Sequence, residues 1–233
     1  MIKRVKALSY IITGFVSILI VSGVLFVWIG NSGETTVSAD SRVYYKGSSE
    51  TCVALMFNVY SGSEYIPEIL KILDDTDSKA TFFVGGSWVE KNESLLKSIH
   101  LMGHEIGNHG YLHRDHASIN EKSNKEEILI THKLVKGILG EEMNLFAPPS
   151  GSYSSVTVDV ADDLGYKTVM WSKDTIDWRD QDVNLILSRA TSKLKAGDLV
   201  LMHPTEKTVQ ALPLILDEIR KARLTADILS NVL

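Results

Sequence analysis

Short apolar runs rich in β-branched and aromatic residues alternate along this chain with amphipathic stretches. That alternation restricts the fold to strands and helices taking turns around a largely parallel sheet. Residues 51–57, 80–84, 103–107, 144–147, 167–171 and 199–202 read as strands. Between them, apolar residues recur at helical spacing in four groups, opened by Ile66, Ile69, Leu70 and Leu73. The second holds Ile128, Val135 and Ile138, the third Val183, Ile186, Leu187, Ala190 and Leu194, and the last Val209, Leu212, Leu216 and Ile219. Ser123 and Glu126 have the spacing of a reciprocal N-terminal cap for the second helix. The fold class is α/β.

A different signal precedes this domain. Ala7 through Gly30 carries no charged side chain, and at ~1.5 Å per residue a helix of that length spans roughly 36 Å, enough for a bilayer core. Lys3, Arg4 and Lys6 come before it, so the positive-inside bias holds residues 1–6 in the cytoplasm and sends the rest outward. The run is longer than a usual signal core, which favours a retained single-pass anchor over a cleaved leader, although Val37-Ser38-Ala39 fits a cleavage site. Residues 31–50 then serve as a tether to an extracytoplasmic domain over 51–233.

Charge and cysteine usage narrow the partners. The chain holds 24 Lys+Arg against 29 Asp+Glu, and three of those basic residues precede the apolar run, so the outward part is the more acidic. Such a surface excludes nucleic acid as a partner and favours neutral ligands. Cys52 is the single cysteine, so no intrachain disulfide forms and the domain is held by packing. Its place at the start of an apolar run suggests a buried small hydrophobe.

Polar residues with chemical potential cluster where the predicted strands end. Asn58 follows the first, His109 the run 103–107, Pro149 the run 144–147, Asp177 the run 167–171 and His203 the last. In parallel α/β folds that edge is where ligands bind. His109 and His113, four positions apart, fit one face of a helical turn and so a shared metal ion. The Asn108 amide is placed to orient His109, while His104 reads as structural.

With these pieces in order, the chain resembles the polysaccharide deacetylases of the NodB-homology type, carbohydrate esterase family four, over about residues 50–225. The resemblance is carried by Leu55-Met56-Phe57-Asn58-Val59, His109-Gly110-Tyr111-Leu112-His113, Phe146-Ala147-Pro148-Pro149-Ser150-Gly151, Asp174-Thr175-Ile176-Asp177-Trp178 and Leu201-Met202-His203. In detail it is similar to the sporulation-associated, membrane-anchored deacetylase-like proteins of Gram-positive spore formers. The resemblance implies a distorted (β/α) barrel and a divalent metal, usually zinc, held by one Asp and two His. It also implies hydrolysis of the acetamide of an N-acetylated cell-wall or spore-cortex glycan. Carried over, His109 and His113 take the metal-binding positions, His203 that of the general acid, and Asp177 that of the carboxylate orienting it. Trp178 and Leu201 match the walls around the acetyl methyl. Ser150 stands where the family has an aromatic, its backbone amide still placed to donate to an oxyanion.

The pattern breaks at three positions. Asn58 stands where the resemblance puts the catalytic base, Val59 where it puts the metal carboxylate, and Ala147 where it puts the arginine that pairs with the base. A neutral amide takes no proton from water and an isopropyl group ligates no cation. Asp115, His116, Glu64 and Tyr60 are candidates to make good the loss. Two readings follow: a metal-dependent deacetylase with a rearranged site, or an inactive glycan-binding relative whose groove is lined by Tyr111, Tyr153 and Trp178.

Overall fold

A computed structural model describes residues Asp40–Leu233. The predicted cytoplasmic tail (1–6), membrane segment (7–30) and first part of the tether lie outside the described residues, among which no helix is long and apolar enough to cross a membrane.

The described residues form a nine-stranded sheet. Its strands are β1 (Val43–Tyr44), β2 (Cys52–Val59), β3 (Thr81–Val84), β4 (Glu105–Asn108), β5 (Leu145–Phe146), β6 (Lys167–Val169), β7 (Lys173–Asp174), β8 (Leu199–Met202) and β9 (Thr225–Asp227). They run in the order β1-β6-β5-β4-β3-β2-β8-β7, with β9 also on β2. Every pairing of named strands is parallel. An antiparallel bridge from Lys46 to Asp198 ties the chain beyond β1 to the start of β8, and the parallel strands curl into a half-barrel, an open form of the distorted (β/α) barrel that the resemblance implies. Because all strands point one way, their carboxyl ends share one rim.

β2 shows why the sequence folds this way. Apart from half-buried Cys52 it is buried throughout, and a strand covered on both faces reads as a continuous apolar run. Side chains alternate between faces. Val53, Leu55, Phe57 and Val59 join the large core cluster shared with the helices, while Ala54 and Met56 turn inward to meet Phe83, Leu145, Val169 and Leu199. Phe57 stacks on Phe82 of the neighbouring strand at 4.9 Å between ring centres.

Helices close the outer layer. α1 (Ile66–Asp75) buries Ile66, Ile69, Leu70 and Leu73, the stripe its spacing predicts. Short α2 (Gly86–Val89) and α3 (Glu93–Leu101) precede β4, and α4 (Glu121–Leu139) follows it. α5 (Ser155–Asp163), α6 (Val183–Thr191), α7 (Glu206–Lys221) and α8 (Leu229–Val232) complete the layer. α4 begins earlier than the Ser123–Glu126 pair suggests. Asn120 is its cap and its side chain accepts from the Ser123 amide at 2.9 Å.

Three local expectations are corrected. Tyr44 and Val43 belong to β1 in the sheet, so part of the predicted tether is built into the barrel. Cys52 is half-buried and shares a hydrogen bond with the Thr225 hydroxyl at 3.2 Å, because its strand starts at the open lower end of the sheet. Asp177 follows β7, a two-residue strand paired with β8, and not the run 167–171.

His104 is structural, as its position before the histidine pair suggests. Its ring is buried, Nδ1 accepts the Ala80 amide at 3.3 Å, and burial pushes its pKa down to about 4. The unfolded chain takes up this proton near the ordinary 6.5, so the native state loses stability as pH falls from there towards 4. His104→Asn keeps an acceptor for the amide but cannot titrate; urea denaturation between pH 7 and pH 4 should show a shallower loss of stability than the parent, and an unchanged slope would refute this. Phe57→Ala, which empties a site at 0 % exposure, should cost about 3–5 kcal/mol in the same assay.

Candidate functional site

The rim holds a cleft of about 400 Å³ lined by Asn58, His109, His113, Ser150, Trp171, Asp174, Trp178, Leu201 and His203. Side chains more than a hundred residues apart in sequence meet there because each follows or ends a parallel strand.

The two histidines arrive on a loop, not on a helical turn. His109 leaves the end of β4, its amide bonded to the Val84 carbonyl at 3.0 Å. The chain then turns through Gly110 at φ 71° and His113 at φ 56°, and the left-handed turns bring the rings to 5.1 Å between centres. A non-glycine residue in this region costs on the order of 1 kcal/mol, so surrounding contacts must hold it.

Those contacts come from α4. Asn124, Glu127 and Thr131 are buried on one face at helical spacing. Glu127 Oε2 accepts the amides of Tyr111 and Leu112, each at 2.7 Å. The Thr131 hydroxyl donates to the Gly110 carbonyl at 2.8 Å, and Asn124 Oδ1 accepts from His116 Nδ1 at 2.6 Å. Apolar periodicity marks α4 in the sequence, but this polar stripe was missed. Its signal was three hydrogen-bonding residues at positions 124, 127 and 131, falling where a buried face was expected.

The predicted orientation of His109 by Asn108 is corrected. The Asn108 amide donates to the Ile128 carbonyl at 2.9 Å and the Tyr166 hydroxyl at 3.2 Å, and its oxygen accepts from Gly110 N. His109 Nδ1 bonds instead to the Ala147 carbonyl at 2.7 Å. A carbonyl only accepts, so Nδ1 carries the proton and Nε2 presents a lone pair. Burial, then the neighbouring His113, pushes the His109 pKa down to about 3. His113 is lowered too, chiefly by burial.

The opposite wall is fully built. Asp177, at 1 % exposure, accepts from His203 Nδ1 at 2.8 Å and from the His203 backbone amide at 2.7 Å. It also accepts the Thr208 hydroxyl at 2.5 Å. Three donors converge on one carboxylate and fix the imidazole with Nε2 free. Leu201 is nearly buried while Trp178 is 59 % exposed, so the first is floor and the second a projecting wall. Asp174 caps its own loop through the Ile176 amide at 2.9 Å and also lines the cleft. Trp171, the last residue of the predicted strand 167–171, lines it as well. A Cβ at Gly151, where φ is 66°, would come within 2.6 Å of the Trp171 ring, so this turn needs glycine.

Other nominated residues lie elsewhere. Tyr111 does not line the cleft; its hydroxyl donates to Glu90 at 3.1 Å. Tyr153 shares a 2.6 Å hydrogen bond with Tyr45 outside the lining set. Among the candidates to replace the lost groups, Asp115 is exposed and engaged with Ser118 and Ser152, and His116 is buried beside Phe146. Glu64 is exposed on a short 3-10 turn. Tyr60 packs its ring on His113 at 4.9 Å. None joins the pair as a carboxylate.

The donor set therefore does not fit the metal centre that the fold implies. Asn58 Oδ1 is buried without a protein partner among the described residues. Val59 is packed in the outer apolar cluster. Among the described residues no three His, Cys, Asp or Glu side chains are grouped to hold a metal ion. Two imidazoles alone are a weak site for zinc.

Comparison with known proteins places this geometry. A family model described as polysaccharide deacetylase matches residues 45–169. The chain is 38 % identical over 177 residues to the uncharacterized protein YlxY of Bacillus subtilis, covering 76 % of this chain and 56 % of that one. It is 33 % identical over 180 residues to a peptidoglycan-N-acetylglucosamine deacetylase of Bacillus cereus, covering 75 % and 84 % respectively. Among solved structures it is similar to BA3943 of Bacillus anthracis, described as a CE4 family pseudoenzyme, with a TM-score of 0.79, 34 % identity and coverage of 82 % and 68 %. A mutant of BA3943 described as having restored enzymatic activity matches with the same TM-score at 32 % identity, covering 82 % and 70 %. The chain belongs to the polysaccharide deacetylase family, NodB type, carbohydrate esterase family four. It spans 56 % of the length of YlxY.

The histidine loop depends on one carboxylate. Glu127→Leu leaves the partly buried amides of Tyr111 and Leu112 without their acceptor, at about 0.5–1.5 kcal/mol each. Thermal or urea unfolding should show it far less stable than Glu127→Gln, which keeps an acceptor oxygen; equal losses would show that the contact is not what holds the loop.

Proposed function

We propose that this chain binds N-acetylated cell-wall glycan in the rim cleft without hydrolysing it. One observation carries the reading: the Asp177–His203 wall, the Leu201 floor and the projecting Trp178 are complete, while on the facing side Asn58 lines the cleft without a charge, Val59 is packed into the core and Ala147 supplies no cation. A bound acetamide finds an apolar seat for its methyl and polar edges around it. It finds no base to take a proton from water and no third ligand for a cation.

The divalent-metal deacetylase remains the competing reading, favoured by the intact Asp177–His203 pair. In that reading a metal held by His109 and His113 would polarise the acetamide carbonyl and activate water. Kinship with a peptidoglycan deacetylase supports the ligand class for both readings, and kinship with a pseudoenzyme supports the first. The uncharged run from Ala7 to Gly30 supports a place at the outer face of the cell membrane, where such glycan lies.

Calorimetry with N-acetylglucosamine oligomers is expected to give micromolar to millimolar binding that a chelator leaves unchanged, with no acetate released. Acetate release by the parent, abolished by the chelator, would overturn this. The combined variant Asn58→Asp, Val59→Asp and Ala147→Arg is expected to retain zinc after dialysis and to release acetate. Failure of a folded triple variant to do either would show that the rest of the rim no longer supports the family chemistry.

A further inference from the structure

We propose that the cleft selects acetamides over acetate esters, with His109 Nε2 accepting the amide N–H of the bound N-acetyl sugar. This rests on the glycan-binding reading above and adds the basis of its selectivity. His109 lines the cleft, and its Nδ1 proton is committed to the Ala147 carbonyl at 2.7 Å, so the atom left for a ligand is an acceptor. No protein group donates to that nitrogen among the described residues, and although the residue as a whole is 1 % exposed, the nitrogen is not a sealed-off atom: it opens to the cleft, where a seated ligand displaces the water that would otherwise pair with it.

A family that hydrolyses acetyl groups meets two kinds of substrate that differ at one atom. The amide places an N–H next to the carbonyl; the ester places an oxygen there, with lone pairs and no proton. Against His109 Nε2 the amide makes a hydrogen bond, whereas the ester sets acceptor against acceptor. Asn58 adds the complementary half. Its side chain lines the same cleft; Oδ1, an acceptor, is buried without a protein partner among the described residues, and it is the NH2 half of the amide that offers donors to the acetyl carbonyl. With the methyl directed to Trp178 and Leu201, each part of an acetamide has a counterpart.

Leaving a nearly buried acceptor unpaired lowers affinity by roughly 10- to 100-fold. The full chain should therefore bind an N-acetylglucosamine oligomer at least about 10-fold more tightly than the matched oligomer carrying a 2-O-acetyl group. His109→Phe, which keeps ring volume and removes the acceptor, should weaken the N-acetyl oligomer and bring the two oligomers to the same affinity, abolishing the discrimination. Nitrogen NMR of the unmodified protein gives a test free of any folding defect: the His109 Nε2 resonance should shift on saturation with the N-acetyl oligomer and not with the ester. Equal affinity for the two oligomers, or a His109 signal that stays still, would overturn the selectivity and leave glycan binding standing. Failure of both oligomers to bind would instead remove the glycan-binding reading itself.

Discussion

A buried carboxylate on a helix, turned towards two peptide amides of a loop, is the contact on which this site rests. In residues 109–113 the His109 amide bonds to the end of β3 and the Gly110 and Tyr111 carbonyls accept from the first amides of α2, which leaves the Tyr111 and Leu112 amides to find an acceptor elsewhere, and a backbone group left unpaired away from water costs about as much as a lost hydrogen bond. Glu127, with Thr131 one turn on, supplies the missing partners. It thereby holds a loop with two left-handed residues in the one shape that faces both imidazoles into the cleft. The barrel beneath contributes direction: parallel strands deliver His109, Asn58 and His203 to the same edge.

Within that frame the cleft has two unequal halves. One wall keeps a buried carboxylate with three donors around it and an imidazole whose outer nitrogen is free. The other has lost charge as a unit, since Ala147 removes the cation that an aspartate at position 58 would need. A guanidinium left there against a neutral amide would be a buried charge without a partner, and breaking such a pair costs about 3–5 kcal/mol. Joint loss is the arrangement that keeps the fold stable. Val59 goes further, for its side chain is now part of the helix-facing core.

Much of this was legible in the sequence because long buried strands and amphipathic helices leave strong periodic signals. β2, β3, β8 and the stripe of α1 appear where the apolar pattern puts them. The two-residue strands β1 and β7 are too short to carry a period, so Asp177 was assigned to the wrong strand and β1 to a tether. The four-residue spacing of His109 and His113 is compatible with a helix, but the left-handed turn at Gly110 makes it a loop. Pairings decided in three dimensions were out of reach: Asn108 with Tyr166, His109 with the Ala147 carbonyl, and Tyr111 turned away to Glu90.

The most direct measurement is a crystal structure of the protein soaked with an N-acetylglucosamine oligomer and zinc together. The expected result is an intact acetamide seated with its methyl on Leu201 and Trp178, its nitrogen within hydrogen-bonding distance of His109 Nε2, and no cation between the two imidazoles. Zinc bound to His109 and His113 with a third ligand from the chain, or free acetate in place of the acetyl group, would contradict it.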